Sequence, residues 1–194
     1  MYAWIFIQDI IMNTLHQTFL LLLFTLISTN SFAEENYTQD NVIDDAANFF
    51  GEGTEGLGEV VEKIFKDHGK PNAIIKGEEA SGALGVGARY GNGILQIKSG
   101  NSLPVHWTGP SIGFDAGANA SKVYVLIYHL PNSDALFQRF PAIDGSLYFI
   151  GGISANYHQS DNIVLAPMRL GAGLRAGVNV GYMKYTKEKT WNPF

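Results

Sequence analysis

The chain has 194 residues, with 13 Lys or Arg against 18 Asp or Glu, five histidines and no cysteine, for a formal net charge of −5. The lack of cysteine excludes disulfides, thiolate catalysis and lipid attachment through cysteine. The acidic balance calls for no nucleic-acid partner, and the length suits one domain once an N-terminal segment is set aside.

Thr18 to Ile27 is an almost unbroken apolar run, followed by Ser28-Thr-Asn-Ser-Phe-Ala33 and then Glu34-Glu35. The run is shorter than the ~18–20 residues that a membrane span needs, and Ser31 and Ala33 supply small residues where a signal peptidase inspects the chain. Residues 1–33 therefore read as a signal peptide cleaved after Ala33, with no stable transmembrane span in the mature chain. No Lys or Arg precedes the apolar run, which departs from the usual signal pattern; Met1 and Met12 are both candidate starts. The competing reading is a hydrophobic first helix of the mature fold.

Residues 34–56 carry the acids Glu34, Glu35, Asp40, Asp44, Asp45, Glu52 and Glu55 and no Lys or Arg. That composition predicts an acidic, flexible leader, although the Val42-Ile43 and Asn48-Phe49-Phe50 patches could dock. Residues 57–194 form the predicted domain. Leu57 to His68 reads as a short amphipathic helix, with Val60, Val61, Ile64 and Phe65 on one face and Gly69 and Pro71 as stop signals. Its apolar face is expected to cover a barrel end or a sheet face.

Strand signals follow at Asn72–Glu79, Gly82–Tyr90, Gly93–Ser99, Val105–Trp107, Ser111–Ala118, Lys122–Leu130, Leu147–Tyr157, Ile163–Met168 and Leu170–Thr186. Gly91-Asn-Gly93, Ser99-Gly-Asn-Ser102 and Asn119-Ala-Ser121 read as the turns between them. A second short helix is expected over Ser133–Phe140, capped by Asn132 or Ser133 and ended by Pro141. Lys122–Leu130 is apolar on both faces and should be central.

Three stretches place a small residue at every second position: Gly82–Gly93, Ser111–Asn119 and Gly171–Met183. Side chains alternate across a strand, so each stretch builds one small face, as close backbone approach or strong bending requires. A glycine-rich sheet of this kind tends to curl closed. The expected architecture is mainly β: a small, partly closed antiparallel barrel of about 8–10 short strands with one or two short α-helices.

Catalytic motifs are sparse. Gly171-Ala-Gly-Leu-Arg-Ala176 matches a relaxed dinucleotide fingerprint but runs on into a strand pattern rather than a helix. The histidines after the signal, His68, His106, His129 and His158, lack metal-ligand spacing, and no serine sits in a GxSxG elbow. No enzyme, cofactor or metal is expected. Strand parity puts Arg89, Asp115 and Arg175 on the three small faces, where they could bind an anionic headgroup or form a buried network if those faces line a cavity. An outward solvent face or a structural Arg–Asp pair is the plainer reading.

Trp107-Thr-Gly-Pro-Ser-Ile-Gly-Phe-Asp115, with Gly85-Val-Gly-Ala-Arg-Tyr-Gly-Asn-Gly-Ile-Leu95 and Val178-Asn-Val-Gly-Tyr-Met-Lys-Tyr-Thr186, resembles the envelope integrity protein A family over roughly residues 60–186. The resemblance implies a periplasmic small β-barrel that supports the cell envelope of a Gram-negative bacterium, without established enzymatic activity or an agreed catalytic set. Under that reading the partner is an envelope or cell-wall protein. A weaker similarity to the SYLF lipid-binding domain rests on Gly109-Pro-Ser111. It implies the alternative of a lipid or apolar-ligand binding module using the barrel mouth, with Arg89, Trp107, Asp115 and Arg175 as candidate contacts.

Overall fold

The computed structural model describes residues 36–51, 54–170 and 181–192, with the backbone alone at 82–86 and 111–120. The predicted signal peptide, Arg175 and the fingerprint at residues 171–176 lie outside the described residues, as does the side chain of Asp115.

Helix α1 spans Gln39–Phe50, where a flexible leader was expected. Val42, Ala46 and Phe50 recur every fourth residue, so they line one face, and that face is buried against the rest of the domain. Asp40 and Asp44 lie on the exposed side, and the acidic composition masks this stripe. Thr38 caps the helix by accepting from the Asn41 amide at 3.4 Å. Helix α2 covers Leu57–His68, as its periodicity predicts, and buries Leu57, Val60, Val61 and Ile64. Both helices lie on one sheet face with Ile74, Tyr124, Leu126 and Tyr128. Asp45 fixes α1 there, accepting from Tyr124 Oη at 2.7 Å and pairing with Lys76 Nζ at 2.5 Å.

The strands are β1 (Ala73–Ile97), β2 (Ser102–Tyr128), β3 (Arg139–Pro141), β4 (Tyr148–Ile150), β5 (Ile153–Ala155), β6 (His158–Ser160), β7 (Ile163–Leu170) and β8 (Tyr182–Thr186). They make one eight-stranded antiparallel sheet among the described residues, in the order β3-β8-β2-β7-β5-β4, with β1 on β2 and β6 on β7. The mainly β, partly closed architecture is thus the one the sequence indicates.

Two expected turns are absent. Pairing runs unbroken through Gly91↔Trp107, Asn92↔His106 and Gly93↔Val105, and Asn119 lies within β2 at a register irregularity, Ser81↔Asn119 giving way to Ala83↔Asp115. Glycine here bends a long ribbon instead of ending a strand. The Ser99–Ser102 turn is present, closed by Ile97 N to Asn101 O at 2.9 Å. Leu147–Tyr157 is split at Gly151-Gly152, whose φ values of 52° and 85° suit a two-residue primed hairpin turn. The predicted helix at Ser133–Phe140 shortens to a 3-10 turn, Ser133–Leu136, capped by Asn132, because Arg139–Pro141 pairs with β8 and buries Phe140.

The β1 ribbon curls until its ends meet: Lys98 N donates to Asn72 O at 3.1 Å. Gly77 and Gly93 pack backbone to backbone, and a Cβ on Gly93 would stand 2.5 Å from Lys76 O. Ala142, just past β3, makes an isolated bridge to His158 of β6. Inside sits a second core that includes Ile75, Leu95, Trp107, Val125, Ile127, Phe140, Leu165 and Met183. The Lys122–Tyr128 part of β2 is therefore central, with Tyr124, Leu126 and Tyr128 under the helices and Val123, Val125 and Ile127 in the barrel.

Candidate functional site

Cross-strand partners share a face, so the register Gly77↔Val123↔Arg169 puts Arg169 on the barrel's inner face. Gly91↔Trp107 puts the indole there too, and the alternation along β1 adds Glu79 and Arg89. The indole lies flat on Gly91, where any Cβ would fall inside the ring. A glycine at this position is what lets a tryptophan lie across the ribbon.

Glu79 is the hub. It is 3 % exposed and accepts from Trp107 Nε1 at 2.8 Å, while Arg169 Nε donates at 3.0 Å and Arg89 Nη1 pairs with it at 3.2 Å. Arg169 extends the chain by donating from Nη1 to Asn156 Oδ1 at 3.1 Å. Asn156 Nδ2 in turn donates to His158 Nε2 at 2.7 Å, and His158 Nδ1 donates to the Phe140 carbonyl at 3.2 Å. Each acceptor in this chain meets a donor only if His158 is neutral with its proton on Nδ1.

The electrostatics agree. Burial alone would raise the Glu79 carboxyl, but the Arg169 and Arg89 charges and the bonds from Arg169 and Trp107 outweigh it and hold its pKa below the usual glutamate range. Burial, then the Arg169 charge, push His158 down to about 3, against the opposing bond to the Phe140 carbonyl. Glu79 is therefore ionised and His158 neutral at neutral pH.

Above this network opens a cleft of about 310 Å³. Glu79 and Trp107 form part of its lining, β1 contributes Glu78, Tyr90 and Asn92, and β2 contributes His106. Its remaining wall is the C-terminal segment Lys189–Trp191. That segment is tied down where Tyr90 Oη donates to Trp191 O at 2.8 Å and the two rings meet at 5.3 Å. Lys189 Nζ stands 4.1 Å from the Trp191 ring centre. Among the described residues, no group of three His, Cys, Asp or Glu side chains is arranged to hold a metal.

Of the four residues singled out from the sequence, Arg89 and Trp107 converge, both on Glu79. Arg89 is buried rather than facing outward, which overturns the plainer reading of its small face as a solvent face. Sequence reasoning missed Glu79, Arg169, Asn156 and His158. Arg169 had a signal: it is the one charge in Ile163–Leu170, seven of whose eight residues are buried. The boundary drawn at Met168 cut it off. Glu79 had none, because its partners lie on the far half of its own strand, on β2 and on β7.

The fold and site can be set against known proteins. A family model described as Envelope integrity protein A matches residues 35–194. A crystal structure described as that of a beta-barrel-like, uncharacterised protein from Brucella abortus is similar at 42% sequence identity and a TM-score of 0.75, covering 82% of this chain and 99% of that one. A search of functionally curated proteins returns no match.

Proposed function

The chain belongs to the envelope integrity protein A family, and we propose that it is a non-catalytic periplasmic protein that maintains the cell envelope of a Gram-negative bacterium. Export is assigned to residues 1–33, on the apolar run Thr18–Ile27 and the small residues Ser31 and Ala33. Among the described residues, no helix is long and apolar enough to cross a membrane.

The observation that supports the non-catalytic reading is that the carboxylate and the imidazole of the buried network are both engaged. A general acid or base needs a site free to exchange a proton with substrate. Glu79 is engaged by three donors, and both ring nitrogens of His158 are bonded inside the core. On this reading the network locks the barrel and the floor of the cleft and takes no part in proton transfer.

The test is a gene deletion assayed for survival in detergent and in wall-active antibiotics. The deletion should sensitise the cells, and the full chain should restore resistance where a chain lacking residues 1–33 does not. Unchanged sensitivity of the deletion strain would overturn the envelope role, and rescue by the truncated chain would overturn export. N-terminal sequencing of the periplasmic protein should begin at Glu34.

A further inference from the structure

We propose that the cleft over Glu79 and Trp107 is a binding site for a neutral pyranose sugar, with Trp191 and Tyr90 as its stacking platform. Trp191 is 67 % exposed, although an indole is the side chain that gains most from being covered. It is nevertheless held in place, by its backbone bond to Tyr90, by the tilted Tyr90 ring and by the Lys189 ammonium over its face. An oriented aromatic that keeps most of its surface in water at the mouth of a cleft is a preorganised surface for the C–H face of a ring.

The polar groups fit the same ligand. Glu78 supplies acceptors, Lys189 supplies donors, and Asn92 and His106 can supply both, so hydroxyls around a sugar's rim find either kind of partner. The walls are balanced where a ligand would touch them, since Glu78 and Lys189 are opposite in sign; the one positive charge in excess, from Arg89 and Arg169 sharing Glu79, is buried beneath the floor. Size argues likewise. At about 310 Å³ the cleft sits at the small end of ligand sites, and its walls are mostly apolar with a few polar groups, as the C–H face and hydroxyl rim of a sugar ring require. The floor is rigid, since Glu79 pins the indole nitrogen of Trp107 and Gly91 seats its ring.

The experiment is a titration of the purified protein, followed by saturation-transfer NMR and calorimetry, with three probes. A β-1,4-linked N-acetylglucosamine tetramer stands for a wall glycan, and α-linked mannose and glucose tetramers stand for surface polysaccharides. At least one tetramer should bind, and which one binds separates the two sources. Trp191→Ala should weaken it about tenfold, Trp191→Phe should keep part of the affinity, and Asn92→Ala should weaken it by a similar factor. Because Trp191 is exposed, its variants should melt as the parent does. Failure of all three probes at millimolar concentration, or equal affinity in Trp191→Ala, would overturn the site. So would preferential binding to phosphatidylglycerol vesicles. Sugar binding is read directly, so its failure and the failure of the deletion phenotype are separate results.

Discussion

Glu79 is the shared counter-ion of Arg89 and Arg169, all three under 8 % exposed, so water does little to balance any of them. Removing one partner of a buried ionic cluster strands the others, at a cost of about 3–5 kcal/mol. Glu79→Gln should therefore lower the unfolding free energy at pH 7, read from urea melts, by that amount, although its amide oxygen can still accept from Trp107. A midpoint within experimental error of the parent would mean that the network is ornamental to stability. His158 sets a pH dependence with a definite sign. Its unfolded form takes a proton near pH 6.5 and its folded form only near 3, so between these values the unfolded chain binds more protons. Stability should then fall as the pH drops through that window, by up to about 1.4 kcal/mol per pH unit. Glu79 acts in the same direction at lower pH: its depressed folded pKa gives stability that is present above the ordinary glutamate range and lost as pH falls through the folded value. His158→Gln should flatten the slope between pH 4 and 6 by about one proton, checked by denaturant melts at each pH. Parallel slopes in the two proteins would refute the assignment.

At the scale of elements, the glycines divide into those that the fold needs and those that it merely tolerates. A Cβ on Gly91 would overlap the Trp107 ring, whereas one on Gly58 in α2 would meet nothing within 4 Å. Gly91→Ala should cost at least about 1–3 kcal/mol by forcing the indole off Glu79, and Gly58→Ala should gain about 0.4–1 kcal/mol by restricting the unfolded chain. Thermal melts of the two variants should move in opposite directions. Local pattern carries part of this. Val60, Val61 and Ile64 announced α2 by spacing alone, and the apolar residues on both faces of Lys122–Tyr128 announced a strand between two cores. The small face of Gly82–Gly93 announced close approach, which Gly91 and Gly93 display. What local pattern could not carry was whether a glycine bends a strand or ends it, since Gly91-Asn-Gly93 is compatible with either until the partner strand is known. Nor could parity separate inside from outside for Arg89. Its burial is decided by Glu79 and Arg169, whose proximity exists only after β1, β2 and β7 have paired.

On the scale of the whole molecule, β2 is the wall that two cores share. Tyr124, Leu126 and Tyr128 pack under α1 and α2, while Val123, Val125 and Ile127, one residue out of phase, fill the barrel. Lys122 adds a tie across the boundary by donating to Phe49 O at 2.8 Å. A strand buried on both faces cannot release one layer without exposing apolar surface to water on the other side of the same backbone, so the helix layer and the barrel should unfold together. Phe50→Ala, in the helix layer, and Leu165→Ala, inside the barrel, should each cost about 2–5 kcal/mol. Both should shift one common transition, seen alike by far-ultraviolet circular dichroism and by tryptophan fluorescence in a Trp191→Phe chain lacking residues 1–33, where Trp107 reports from the barrel core. If α1 were an appendage on a self-sufficient barrel, Phe50→Ala would instead melt helical signal early and leave the fluorescence midpoint in place. Coincident midpoints with an unchanged denaturant slope are the expected result, because the residues that hold α1 down, Tyr124 and Lys76, stand on the strands that close the barrel.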